Sequence, residues 1–182
     1  MIKICISGLT GSGKTTLGNL IAKELGIRHI TKVQTHTYSV IASKLQAKND
    51  RTLAIGQTAN PKYAKDFDRE IVAAAKKSNC VVSTWLGPWL IKDASLRVWL
   101  NASLEERSRR KAKDLGTTLA KAKSYIIEKD SYAKSQFKKL YGIDINDHSI
   151  FDIEINTEKL NHADVVSVVS MLSMMKDKPK FV

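Results

Sequence analysis

An α/β fold, with a parallel sheet covered by helices on both faces, is predicted by three features of these 182 residues. Short runs rich in β-branched residues alternate with longer stretches of helical spacing. The runs are continuously apolar rather than alternating, as strands buried on both faces require. The first run ends in a glycine-rich turn that opens directly into a helical pattern, the start of a right-handed crossover.

Taken in order, Ile2 to Ser7 is a short strand ending at Gly8. Leu17, Leu20, Ile21 and Leu25 then mark one face of a helix. Helical spacing returns from Thr37 to Lys48 and from Pro61 to Lys77, and two apolar runs follow, Cys80 to Ser83 and Leu96 to Leu100. Ser103 can cap a basic helix that runs to Leu115 and stops at Gly116, and Thr117 can cap a second helix to Leu140. Ile150 to Ile155 reads as the last strand, and His162 to Met175 as a closing amphipathic helix.

The chain is long enough for one domain with its own core and too short for two ordinary ones. Its 43% hydrophobic and 26% charged residues exclude whole-chain disorder. No run has the length to span a bilayer and no secretory leader is visible, so a cytoplasmic protein with no membrane partner is expected. Cys5 and Cys80 lie inside apolar runs and read as small core residues rather than as a disulfide or metal site. Lysine and arginine number 30 against 18 acidic residues, a formal charge of +12, which points to polyanionic partners: phosphorylated small molecules or RNA.

Gly8-Leu-Thr-Gly-Ser-Gly-Lys-Thr15 satisfies the phosphate-loop pattern G-x-x-x-x-G-K-[ST] in the setting that pattern needs, between a strand and a helix. Gly8, Gly11 and Gly13 let successive backbone N–H groups face an anion, and the new helix adds its positive dipole end. Thr10 and Ser12 complete the cradle, Lys14 reaches the β and γ phosphates, Thr15 is placed to ligate Mg2+, and Thr16 extends the contact toward the α phosphate. ATP or GTP is the implied ligand. No Asn-Lys-x-Asp follows, which removes the GTPase reading. Two charge-rich helical insertions stand out instead: residues 31–78, suited to an acceptor, and residues 102–140, suited to a lid. Residues 101–140 hold eleven basic side chains against five acidic, a charge able to neutralise a transferring phosphoryl group.

Three blocks resemble the P-loop nucleoside monophosphate kinases, and among them the archaeal type of cytidylate kinase. They are Ile6 to Thr16; Asp93 to Leu100 leading into Ser103 to Arg110; and Tyr141 to Asp152 with Ile155-Asn-Thr157. The resemblance implies a five-stranded parallel sheet of the P-loop NTPase fold, with a core of 1–30, 79–101 and 150–175, an acceptor-binding insertion at 31–78 and a lid at 102–140. It also implies transfer of the ATP γ-phosphoryl group to CMP or dCMP with Mg2+. By position, Arg107 and Arg110 match lid-helix arginines that meet ATP and would act in catalysis beside Lys14. Asp130 with Ser131 matches the acidic stretch of the lid, and Asp68-Arg69 an acidic-basic pair of the acceptor region.

The sequence departs from the family where the acceptor should lie. Ser83-Thr-Trp85 stands where the third strand should end in an acidic residue, glycine and arginine, and Lys129 and Lys134 replace lid arginines. Lysine lacks the planar fork of arginine at a phosphate clamp. Trp85 could stack on a base and His36 could meet an acceptor phosphate. The partners expected on this reading are small nucleotides, with the protein a monomer or homodimer. Two other readings stay open: an RNA-linked P-loop ATPase using the basic lid face, and a kinase with another small acceptor.

Overall fold

The computed structural model describes residues 1–36 and 61–176. The helix predicted over Thr37 to Lys48 lies outside the described residues. Five parallel strands form one sheet in the order β2-β3-β1-β4-β5: β1 is Lys3–Gly8, β2 Arg28–Ile30, β3 Cys80–Ser83, β4 Leu96–Asn101 and β5 Ile153–Asn156. The helices are α1 (Lys14–Glu24), α2 (Pro61–Ala75), α3 (Gly87–Leu90), α4 (Leu104–Leu115), α5 (Leu119–Tyr141) and α6 (His162–Lys176). The predicted five-stranded α/β architecture is therefore what the chain adopts.

β1 sits at the centre of the sheet, and all six of its residues are buried. Ile4 and Ile6 join Leu17 and Ile21 of α1 and Val165 and Val169 of α6 on one face. Cys5 turns to the other face, with Ile30, Ile71, Cys80 and Val82. Both cysteines are free and buried, as expected of core residues. Side chains this completely withdrawn contribute about 1.5–3 kcal/mol each for the larger aliphatics, so the strand that carries the glycine turn is among the most firmly held parts of the molecule.

A third apolar cluster joins Leu86 to Ala133, Phe137 and Ile145, and packs α3 and its approach against α5. The α4–α5 hairpin is thus seated on the core at its base. The Ser103 cap forms, its hydroxyl accepting from the Glu106 N–H at 3.2 Å, and Gly116 ends α4 in a left-handed conformation. The second cap falls one residue later than expected, on Thr118, whose hydroxyl accepts from the Lys121 N–H.

Larger differences from the sequence reading lie at β2, a strand it does not mark, and at the start of β5. β2 has only three residues, and two of them, Arg28 and His29, are polar, so it carries no apolar run to detect. β5 begins at Ile153, because Phe151 leaves the sheet direction to pack edge-on against Trp89 and Trp99, both at 5.2 Å. Among the described residues no helix is long and apolar enough to cross a membrane.

Candidate phosphate-transfer site

The glycine turn lies at the C-terminal end of the central strand, where parallel sheets bind ligands. Gly8, Gly11 and Gly13 all have positive φ, at 148°, 83° and 94°. At Gly8 a Cβ would come within 2.4 Å of the Leu100 carbonyl oxygen, and at Gly11 within 2.8 Å of the Arg107 carbonyl oxygen. The turn is therefore pressed between β4 and the start of α4 at positions that only glycine fills without strain. Gly13 is the N-cap of α1 and offers no side chain there, which leaves the helix N–H groups open to an external acceptor.

Beside the turn lies a cleft of about 290 Å³, walled by Thr10, Gly11, Gly13, Lys14, Thr15 and Thr16, by Ser83, Thr84 and Trp85 after β3, and by Lys32, Lys111, Asp114 and Lys129. Four lysines and one aspartate face one another there. Lys14 Nζ donates to the carbonyls of Gly8 and Leu9 at 2.7 and 2.9 Å and stands 5.0 Å from the Trp85 ring centre. Burial lowers the Lys14 pKa to about 7; Asp130 opposes that shift, and Lys129, Arg107 and Lys32 add to it. Burial likewise lowers the pKa of Lys32, opposed by Asp68 and helped by Lys129, and that of Lys129, helped by Lys111 and opposed by Asp130. Cations crowded until they resist their own charge form a site complementary to a polyanion. Thr10 Oγ1 is buried at the same wall with no hydrogen-bond partner among the described residues, as a cradle built for phosphate oxygens would leave it.

Arg107 and Arg110 of α4 are both engaged within the protein. Arg107 is buried in an ion pair with Asp130, NH1 to Oδ2 at 2.7 Å, and its guanidinium also donates to the carbonyls of Thr10 and Ala102. Asp130 Oδ1 accepts from the Thr10 N–H at 3.1 Å. Arg110 is paired with Glu106 and donates to the hydroxyl and carbonyl of Thr157. Thr157 itself leans on the Ser12 and Asn101 carbonyls.

The predicted acceptor residues divide. Trp85 lines the cleft, tilted against Phe137 of α5 at 5.8 Å. Asp68 and Arg69 line a neighbouring cavity of about 450 Å³ with Lys65, Val72, Leu90 and Tyr141. There Asp68 is buried, accepts the Tyr141 hydroxyl at 2.6 Å, and is raised in pKa by that burial, with Lys32 pulling the other way. His36 is exposed and its N–H donates to Glu70; Lys134 is half-buried on α5; neither lines the cleft or this cavity. Lys32, Lys111 and Asp114 were not singled out from sequence, where a lone lysine or aspartate on a polar stretch looks like solvated surface.

A glycine cradle on the central strand of a parallel sheet, opening on a lysine-lined cleft, defines a P-loop nucleotide-binding protein. Similar folds occur in a gluconokinase from Sinorhizobium meliloti (TM-score 0.62, 14% identity, 96% of this chain and 92% of that one) and in the shikimate kinase from Acinetobacter baumannii (TM-score 0.56, 14% identity, 98% and 96%). Residues 3–159 match the model of the cytidylate kinase-like family, and the chain belongs to that family. Among its relatives are the cytidylate kinases of Pyrococcus horikoshii, 34% identical over 91% of this chain and 85% of the relative, and of Thermococcus kodakarensis, 36% identical over 91% and 84%.

Proposed function

We propose that this chain is a nucleoside monophosphate kinase that moves the γ-phosphoryl group of ATP onto CMP or dCMP. The observation that carries the reading is the intact phosphate loop with its lysine-lined cleft, in a chain that matches the cytidylate kinase-like family over residues 3–159. On this reading it works in the cytoplasm, where ATP is supplied.

The donor phosphates sit on the backbone N–H groups from Gly11 to Thr16, and Lys14 turns from the Gly8 and Leu9 carbonyls to the β and γ oxygens. Thr15, exposed at the head of α1, would hold Mg2+ through its hydroxyl, and the ion would supply further charge neutralisation. Lys32, Lys111 and Lys129 surround the position where charge spreads as the phosphoryl group leaves. The acceptor takes the cavity lined by Asp68, Arg69 and Tyr141, while Trp85 walls the cleft on the donor side. Its phosphate oxygen attacks in line, and the buried Asp68 carboxylate is an acceptor for the exocyclic amino group of a cytosine. Arg107 and Asp130 hold the loop from behind through Thr10, and α4 and α5 serve as the lid above a fixed base.

ADP release from Mg-ATP, measured against CMP, dCMP, UMP, AMP, GMP and dTMP with no-acceptor and RNA controls, tests this. Stimulation by CMP or dCMP well above the others is the expected result. Stimulation by RNA alone, steeply lost with added salt, would replace the kinase with an RNA-linked ATPase.

A further inference from the structure

Ser83, buried at the wall of the cleft, pairs with the half-buried His29 behind it. Ser83 closes β3 and is 6% exposed, yet it lines the same cleft as Lys14 and Thr15. Its Oγ lies 2.7 Å from Nε2 of His29 on the neighbouring strand β2. Both pack against Gly18 of α1, where a Cβ would fall 2.6 Å from His29 Nε2 and 2.9 Å from Ser83 Cβ. Gly18 is four residues from Lys14 and three from Thr15, so the helix face that carries the phosphate contacts also carries this notch. Three elements thus converge on one hydroxyl, at the position where the family resemblance leads one to expect a carboxylate.

A hydroxyl here does what a carboxylate could not. It is uncharged and can donate, and the cleft it faces is built for an anion. A ring N–H of His29 donated to Ser83 Oγ leaves the serine proton to point elsewhere, and burial favours the neutral imidazole by lowering the His29 pKa. We propose that Ser83, oriented by His29, donates a hydrogen bond to the terminal phosphoryl group of the bound triphosphate and so helps the site distinguish ATP from ADP. The inference rests on the donor-site reading above and deepens it. His29 acts only through Ser83 and is a positioning residue.

Calorimetric titration of the full chain with Mg2+ and either a β,γ-imido analogue of ATP or ADP tests the assignment. Ser83→Ala should bind the triphosphate analogue about tenfold more weakly, the effect of one hydrogen bond to a charged group, while ADP affinity stays within about twofold. His29→Ala should reproduce that selective loss, and His29→Gln, which keeps an N–H near the same place, should recover most of it. Equal weakening of both nucleotides by Ser83→Ala would mean a structural role, and no change in either would mean no contact; each overturns the proposal and leaves the donor site standing. Wild-type protein that bound neither nucleotide would remove the donor-site reading, and this inference with it.

Discussion

Replacing Lys14 with alanine should reduce phosphoryl transfer by at least about 10²–10³-fold, the scale expected when one preorganised charge is removed from a transition state, while leaving the fold intact. In the free protein its ammonium is desolvated, held by the Gly8 and Leu9 carbonyls and the Trp85 ring, and crowded by Lys32, Lys129 and Arg107, with Asp130 opposing them. Such a group is built for a ligand. Its removal also relieves the other cations, so the melting temperature should move by only a few degrees, about the effect of one or two kcal/mol in a chain of this size. A variant that kept near-normal turnover would defeat the kinase reading.

The same residue gives a proton signature. With its pKa lowered to about 7, Lys14 is mostly neutral at pH 8 in the free protein. Triphosphate oxygens beside it favour the charged form and raise that pKa again. Binding Mg-ATP at pH 8 should therefore take up close to one proton, and at pH 6, where Lys14 is already charged, far less. Calorimetry in two buffers of different ionisation enthalpy reads this directly, and Lys14→Ala should remove most of the uptake at pH 8.

How much of this was legible in the sequence follows from how far apart the cooperating residues lie. The phosphate loop is eight consecutive residues, and its glycines are demanded by contacts any such turn makes with its neighbours, so pattern and geometry coincide. The Ser103 and Gly116 ends of α4 were legible for the same local reason, whereas adjacent Thr117 and Thr118 offer identical capping chemistry and only the backbone decides between them. β2 escaped notice because three residues, two of them polar, show no periodicity. Strand order is set by crossovers that no local window contains. The cleft lysines arrive from a short 3-10 turn at Lys32–Gln34, from α4 and from α5, and only folding brings them within reach of Lys14. The family resemblance marks Arg107 as an ATP-meeting arginine and Asp130 as part of an acidic stretch. That they grip the loop through Thr10, 97 and 120 residues away along the chain, is a tertiary fact.

That grip makes Asp130 a residue whose loss should cost heavily in stability. Asp130→Asn keeps the shape and still offers an oxygen to the Thr10 N–H, but it leaves the Arg107 guanidinium, with a side chain 7% exposed, without its counter-charge. An uncompensated buried charge of this kind costs about 3–5 kcal/mol, equivalent to a fall of roughly 6–20 °C in melting temperature for a domain this long. The same change should raise the KM for ATP, because the guanidinium also holds the Thr10 carbonyl, and a loop no longer fixed from behind must be ordered by the nucleotide. Removing the orphaned cation separates the two effects. In Arg107→Leu combined with Asp130→Asn, most of the lost stability should return, since buried ion pairs exchange for apolar groups at little cost when both partners go. The raised KM should persist, because nothing then grips the Thr10 carbonyl. Thermal melts and ATP saturation curves on the single and double variants decide it. An Asp130→Asn protein that melts with the wild type would show that the pair carries no net charge stabilisation, and recovery of both stability and KM in the double variant would show that the loop needs no grip from α4 and α5.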